Sequence, residues 1–261
     1  MDRKLIELRL EEWNGFKPNI SSIKEIKTLP VDKSLKELEE ELSSVGININ
    51  DIYYMGDNFF PFQYRKDFTI VDLDVLSKDE FINLRILEQR ETQKKRLIKM
   101  LEAGEFYSFF SLLEKRIKMP LFQLFFNDIP EDSLFKIFRY VYSNIEYNFT
   151  DICPIIIEKI FIVRTKSKEY QMSLKRLKEK TNGSSNITIY RGESTRSTPL
   201  NKALSWTLDK KTAQFFANRF GSSGIVYKAK VKVDNVLDYI ELRKEEEILV
   251  YPKEIINPRR V

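Results

Sequence analysis

The chain has no histidine and only one cysteine, Cys153, in 261 residues. Zinc sites built from Cys and His are thereby excluded, as are Ser-His-Asp triads, histidine general bases and disulfide frameworks. Any chemistry must be carried by carboxylates, Lys, Arg, Tyr or hydroxyl groups. Cys153 precedes Pro154 in an apolar stretch and is expected to be a buried structural thiol rather than a nucleophile. Glycine is scarce, with eight in all, which leaves little material for glycine-rich phosphate loops. Long hydrophobic runs are missing too. The most apolar one, Ile155 to Val163, is broken by Glu158 and Lys159 and is far too short to span a bilayer. No secretory leader stands out after Met1-Asp2-Arg3-Lys4, so a cytoplasmic protein with no membrane partner is expected.

What is present fits a soluble globular protein with a real core: 42% hydrophobic and 32% charged residues. The 19 phenylalanines point to packing by large rings. The net charge of +5 is unevenly placed. From Asn186 to Val261 there are 14 Lys and Arg against 9 Asp and Glu, an excess of five, whereas residues 1 to 185 hold 30 of each sign. That excess favours an anionic ligand or partner without by itself indicating nucleic-acid binding.

Residues 1 to about 75 carry no clean period beyond a short helical stripe at Leu35, Leu38 and Leu42, and Tyr53 to Tyr64 reads as an aromatic loop. From Lys78 to Lys118 the pattern is helical, with a break expected at Gly104. Helices are predicted over Glu131 to Ser143 and Ser167 to Lys180. Past Asn182-Gly183 the period changes from helix to strand. Ile187 to Arg191 alternates, Leu204 to Thr207 is short and extended, and Asp209 can cap a helix carrying Ala213, Phe216, Ala217 and Phe220 on one face. Ile225 to Val233 alternates with Lys228, Lys230 and Lys232 on one side, and Ile248 to Tyr251 makes a last strand. The order of elements predicts an α+β fold, with a mostly helical region over 1–120 and a second domain over 121–261.

Three elements in this last stretch line up. Arg191 ends the first strand in Tyr190-Arg191-Gly192, Ser205 and Thr207 share one side of the second, and Glu245-Glu246-Glu247 precedes the last. The spacing is 14 residues from Arg191 to Ser205 and 42 from there to Glu247. In this order and spacing the chain resembles the Arg–Ser–Glu branch of the ADP-ribosyltransferase superfamily, the toxins and relatives that use NAD. The family marks are an Arg on one strand, Ser-x-Ser or Ser-x-Thr on the next, and Glu-x-Glu before a later one. The resemblance covers about residues 186 to 252, and Ser-Trp-Thr is a variant of the usual Ser-Thr-Ser. The superfamily's other large branch needs a histidine, which this chain lacks.

The resemblance implies a split, mainly antiparallel β-core with flanking helices, NAD as substrate and no metal. It implies that Arg191 binds the NAD phosphates through its planar fork of donors, that Ser205 orients the catalytic glutamate, and that Thr207 helps line the NAD site. Glu247 would accept from the 2′-hydroxyl of the nicotinamide ribose and stabilise the oxocarbenium-like state as nicotinamide leaves. Glu245, on the same face as Glu247 if the segment is extended, would position or deprotonate the acceptor. Phe216 and Phe220 are candidates for the nicotinamide pocket, with a core helix face as the competing account. The acceptor is a macromolecule, protein arginine by family default or RNA or DNA in some relatives. Family habit also implies a toxin-like role, in a toxin–antitoxin or phage-defence setting, with a neutralising protein as partner.

Taken singly, each motif has an ordinary explanation. Arg191 can pair with Glu193, Ser205 and Thr207 can be plain strand residues, and Glu245 to Glu247 can be a solvated acidic run balancing Arg243 and Lys244. The lysine row can be the wet face of a sheet. Three other functions compete with transfer: an inactive module that keeps the fold, a nucleic-acid binder using the lysine row, and an NAD glycohydrolase for which Glu245 is dispensable.

Overall fold

Residues 1 to 75, with little visible period, hold helices and an antiparallel sheet in the computed structural model, which describes residues 1–16, 21–26, 32–56, 59–145, 152–221, 224–241 and 245–261. Arg243 and Lys244 lie outside the described residues. Helix α1 (Arg3–Gly15) starts where the Asp2 carboxylate accepts from the Leu5 amide at 2.9 Å, and it buries Ile6, Leu10 and Trp13. After the two-residue strand β1 (Ser21–Ser22) comes α2 (Leu35–Ser43). It is closed at its start by a capping box between Ser34 and Glu37 and buries Leu38 and Leu42, four apart. Strands β2 (Ile52–Tyr54), β3 (Phe62–Lys66) and β4 (Thr69–Leu73) complete a sheet of order β1-β2-β3-β4. Part of the expected aromatic loop is therefore strand.

The β3–β4 turn is made by Asp67 and Phe68, both at positive φ (49° and 66°). Neither is glycine, and the strained turn is held from outside. Asn14 donates to the Asp67 carboxylate and accepts from its amide, each at 3.0 Å, while Lys94 pairs with it at 3.2 Å. Helices α3 (Lys78–Asn83), α4 (Ile86–Glu102) and α5 (Phe106–Leu112) follow, with Gly104 between the last two as expected. The chain divides into two units, Met1–Ile117 and Lys118–Val261, where the sequence placed the division near residue 120. The first is mostly helical, as expected, and among the described residues it also contains the four-stranded sheet.

The second unit begins within α6 (Lys115–Leu124) and continues with α7 (Glu131–Ser143), α8 (Pro154–Val163) and α9 (Lys168–Lys180). The apolar run of Ile155 to Val163 is α8. Its proline sits at the first turn, where the missing N–H costs nothing, and Ile156, Ile157, Ile160 and Val163 are buried. Cys153 just before it is exposed, its amide donating to Gln123 at 2.8 Å, so the buried thiol expected from its apolar neighbours is corrected.

Beyond α9 run β5 (Asn186–Glu193), β6 (Ser205–Thr207), α10 (Lys210–Asn218), β7 (Ile225–Lys232), β8 (Val236–Ile240), β9 (Glu247–Val250) and β10 (Ile256–Arg260). Among the described residues they form one antiparallel six-stranded sheet of order β10-β7-β5-β6-β9-β8. Leu177 of α9 joins Ile187, Ile189, Trp206, Val231, Ile248 and Val250 in one buried hydrophobic cluster. Helix α10 lies over Gly192 of β5. A Cβ there would stand 2.0 Å from the Ala213 carbonyl oxygen and 2.5 Å from the Ala217 amide nitrogen, so only glycine admits this approach. The fold is α+β, with antiparallel sheets and packed helices.

Candidate active site

Strand alternation puts Ser205 and Thr207 on one side of β6, and the β6–β9 register sets Thr207 opposite Glu247 and Ser205 opposite Leu249. The Ser205 hydroxyl donates to Glu247 Oε1 at 2.5 Å, a short bond of the kind expected when the acceptor is a carboxylate. Forty-two positions apart in sequence, the two residues are brought together by the pairing of two short strands.

Thr207 acts one step further back. Its hydroxyl donates to the Glu245 carbonyl oxygen at 2.6 Å and accepts from the Asp209 amide at 3.0 Å. The Asp209 side chain then caps α10 by accepting from the Lys211 and Thr212 amides at 3.1 and 3.0 Å. One hydroxyl thus ties the segment before β9 to the start of α10. Thr207 is a positioning residue here, with its polar atoms committed within the protein.

The Glu-x-Glu segment is not extended. Glu246 lies at φ 47°, in the left-handed region, and β9 begins only at Glu247. Its carboxylate pairs with Lys180 at 2.5 Å and its carbonyl accepts from Leu208 at 3.2 Å, contacts that hold the unusual backbone. The same-face relation between Glu245 and Glu247 was conditional on extension, and the turn at Glu246 removes that ground. Among the described residues no hydrogen bond or ion pair engages the Glu245 carboxylate.

Arg191 sits near the end of β5 and is largely buried. Its Nη1 donates to the Ser205 carbonyl at 2.8 Å and its Nη2 to the Thr198 carbonyl at 2.7 Å. Thr198 is presented by a loop that Ser194 and Ser197 close, with the Ser197 hydroxyl accepting from the Ser194 amide at 2.9 Å. Arg191 makes no ion pair with Glu193, contrary to the simplest account of it. Its Nε and Glu193 Oε2 are both buried without a partner. Burial pushes the guanidinium pKa down, partly offset by the negative charges of Glu193 and Glu247. A largely buried guanidinium with an unused donor and, among the described residues, no carboxylate in contact suits an anionic ligand.

Tyr142, in the last turn of α7, belongs to none of the sequence motifs. Burial raises its hydroxyl pKa well above the usual tyrosine range, with Glu247 adding to the shift and Arg191 opposing it. The phenol therefore stays protonated within electrostatic reach of both site residues. Its place is fixed by Arg139, one turn earlier, which pairs with the buried Asp238 at 2.7 Å, and Asp238 also accepts from Ser173 at 2.6 Å. In sequence Tyr142 looks like one more member of an apolar stripe.

Phe216 and Phe220 do not join this hydrogen-bonded group. The buried face of α10 is Ala213 and Ala217. Phe216 is half-buried with its ring edge-on to Phe215 at 5.5 Å, and Phe220, 47% exposed, lies under Arg196 and Arg219 at 5.0 and 5.6 Å. Neither ring is a core residue. Two open grooves, of about 500 and 450 Å³, are lined by residues such as Arg85 and Gln89 and by Gln171 and Lys175, and neither includes a residue of the site.

Among the described residues no group of three or more carboxylates or thiols is placed to hold a metal ion, and no helix is long and apolar enough to cross a membrane. Compared with known proteins, the chain matches no family model, no curated protein and no solved structure.

Proposed function

We propose that the chain cleaves the nicotinamide–ribose bond of NAD and transfers ADP-ribose to a macromolecule. The observation that carries this reading is the 2.5 Å bond from Ser205 to Glu247, beside a buried Arg191 with a donor to spare. Arg191 binds the phosphates of the dinucleotide, a task suited to a rigid guanidinium already fixed by two carbonyls. Glu247, oriented by Ser205, accepts from a ribose hydroxyl and lowers the energy of the cation that forms at the anomeric carbon. The bond from that carbon to the ring nitrogen breaks, the electron pair leaves with neutral nicotinamide, and the acceptor's nucleophile forms the new bond. Its proton passes to a carboxylate or to water, since the chain has no histidine to take it. Tyr142 keeps its proton and supplies a neutral polar group next to Glu247.

A cytoplasmic setting and a toxin-like role with a neutralising partner go with this reading, because free transferase activity would harm the cell that makes it. The test is incubation of the purified protein with labelled NAD and a cell extract, beside Glu247→Gln. Label entering macromolecules with wild type and not with the variant supports the transferase. Absence of both label transfer and nicotinamide release with folded wild type overturns it.

A further inference from the structure

The register of the second sheet carries a straight line of side chains through the candidate site. Arg259 of β10 faces Lys228 of β7, Lys228 faces Tyr190 of β5, Tyr190 faces Thr207 of β6, and Thr207 faces Glu247 of β9. Directly opposed residues in antiparallel strands share a sheet face. Lys228, Lys230 and Lys232, two apart on β7, therefore lie on the face that carries Glu247. With strands about 4.8 Å apart, Lys228 stands roughly 14 Å from Glu247 in backbone distance, and Arg259 roughly 19 Å.

Two ordinary explanations of this row fail. Surface lysines on a sheet are commonly balanced by acids across the strand, but the β5 residues opposite these three are Asn186, Thr188 and Tyr190. Among the described residues none of the four cations is in an ion pair, and the nearby Asp234 is taken by Lys178 at 3.0 Å. Lysines also guard exposed sheet edges, but β7 is the second strand, and the edge strand β10 already carries Pro258. Lys230, Lys232 and Arg259 are exposed, and among the described residues no partner uses their charge.

We infer that this row is the acceptor-binding track and that the acceptor is a nucleic acid, whose phosphates lie on Arg259, Lys228, Lys230 and Lys232 while a base or ribose reaches Glu247. The inference names the acceptor of the proposed transfer and rests on that reading. A backbone of regular negative charge matches a regular row of unpaired cations, and the half-exposed Tyr190 between row and site offers a ring for a base.

Binding is measured without NAD, so that failure here is distinct from failure of the transferase reading. A fluorescent single-stranded oligonucleotide, as RNA and as DNA, is titrated against wild type and against Lys230→Gln/Lys232→Gln/Arg259→Gln at several salt concentrations. Loss of three phosphate contacts at about 0.7 each should reduce the slope of log affinity against log salt by about 2. Lys230→Arg/Lys232→Arg, which keeps the charge, should bind as wild type does. An unchanged slope in the neutral variant, or equal loss in the arginine variant, overturns the inference. Tighter, row-dependent binding of labelled polyglutamate overturns it in favour of an acidic protein.

Discussion

Ser205 donates its hydroxyl to Glu247 across the pairing of β6 and β9, at 2.5 Å, while its own carbonyl accepts from Arg191 at 2.8 Å. One residue thus ties Glu247 to Arg191, side chain to one and backbone to the other. Substitution separates the two ties, because Ser205→Ala removes the hydroxyl and leaves the carbonyl. A hydrogen bond to a charged group is worth about 1.5–3 kcal/mol, which corresponds to a fall of about 10- to 100-fold in kcat for nicotinamide release. Arg191 should remain in place, so KM for NAD should change little. Steady-state kinetics of nicotinamide release checks both, and an unchanged kcat would remove Ser205 from the mechanism.

On the proposed reading, Glu245 is the residue at which transfer and hydrolysis part. Its carbonyl is held by Thr207 whereas its carboxylate is not engaged within the described residues. Glu245→Gln should therefore leave the fold and nicotinamide release near wild type and lower label transfer to the acceptor by about 100-fold, within the range for loss of a general base. Equal loss of both activities would assign Glu245 to the cleavage step.

Gly192→Ala tests the packing that carries Arg191. The new methyl would meet two backbone atoms of α10, at 2.0 and 2.5 Å, and neither can rotate away. Overpacking of this kind costs about 1–3 kcal/mol and occasionally more, so a clear drop in denaturation midpoint is expected. A midpoint within experimental error of wild type would show that α10 shifts freely.

Glu131, at the start of α7, is held at a pKa of about 2 by hydrogen bonds from Lys159 and Lys166, at 2.5 and 2.7 Å. A carboxylate lowered by folding stabilises the protein above its unfolded pKa near 4.5, and that contribution is lost as pH falls through the folded value. Wild type and Glu131→Gln should therefore differ in stability at pH 6 and converge as the pH falls towards 2. Full exposure keeps the difference small. Urea midpoints across that range provide the comparison, and a gap that widened on acidification would contradict the sign.

The parts of the structure that were legible in sequence are those with one wet face and enough length to repeat. Strand β7 showed itself by Ala229, Val231 and Val233 alternating with lysines, and α7 by its apolar stripe. Strand β8 did not, because all five of its residues are buried, including Asp238, whose ion pair with Arg139 hides a charge where a pattern expects solvent. Strand β10 failed for the opposite reason, being exposed throughout. The N-terminal sheet escaped because β1 and β2 have two and three residues and the Asp67-Phe68 turn lacks glycine. In the site, Arg191, Ser205 and Glu247 could be found as residue types in a fixed order. The turn at Glu246 and the role of Tyr142 depend on contacts with Lys180 and with a buried potential, and no local pattern encodes either.

The seam between α10 and β5 at Gly192 is backbone against backbone, and it leaves the outer side of the helix free of structural duty. Phe215 on that side and Phe220 just past the end of the helix are 64% and 47% exposed. Mutation can alter those outward rings at little cost to the fold, while the inner side tolerates almost none. Among descendants of such a chain, what the protein touches can drift quickly while the geometry around Glu247 stands still.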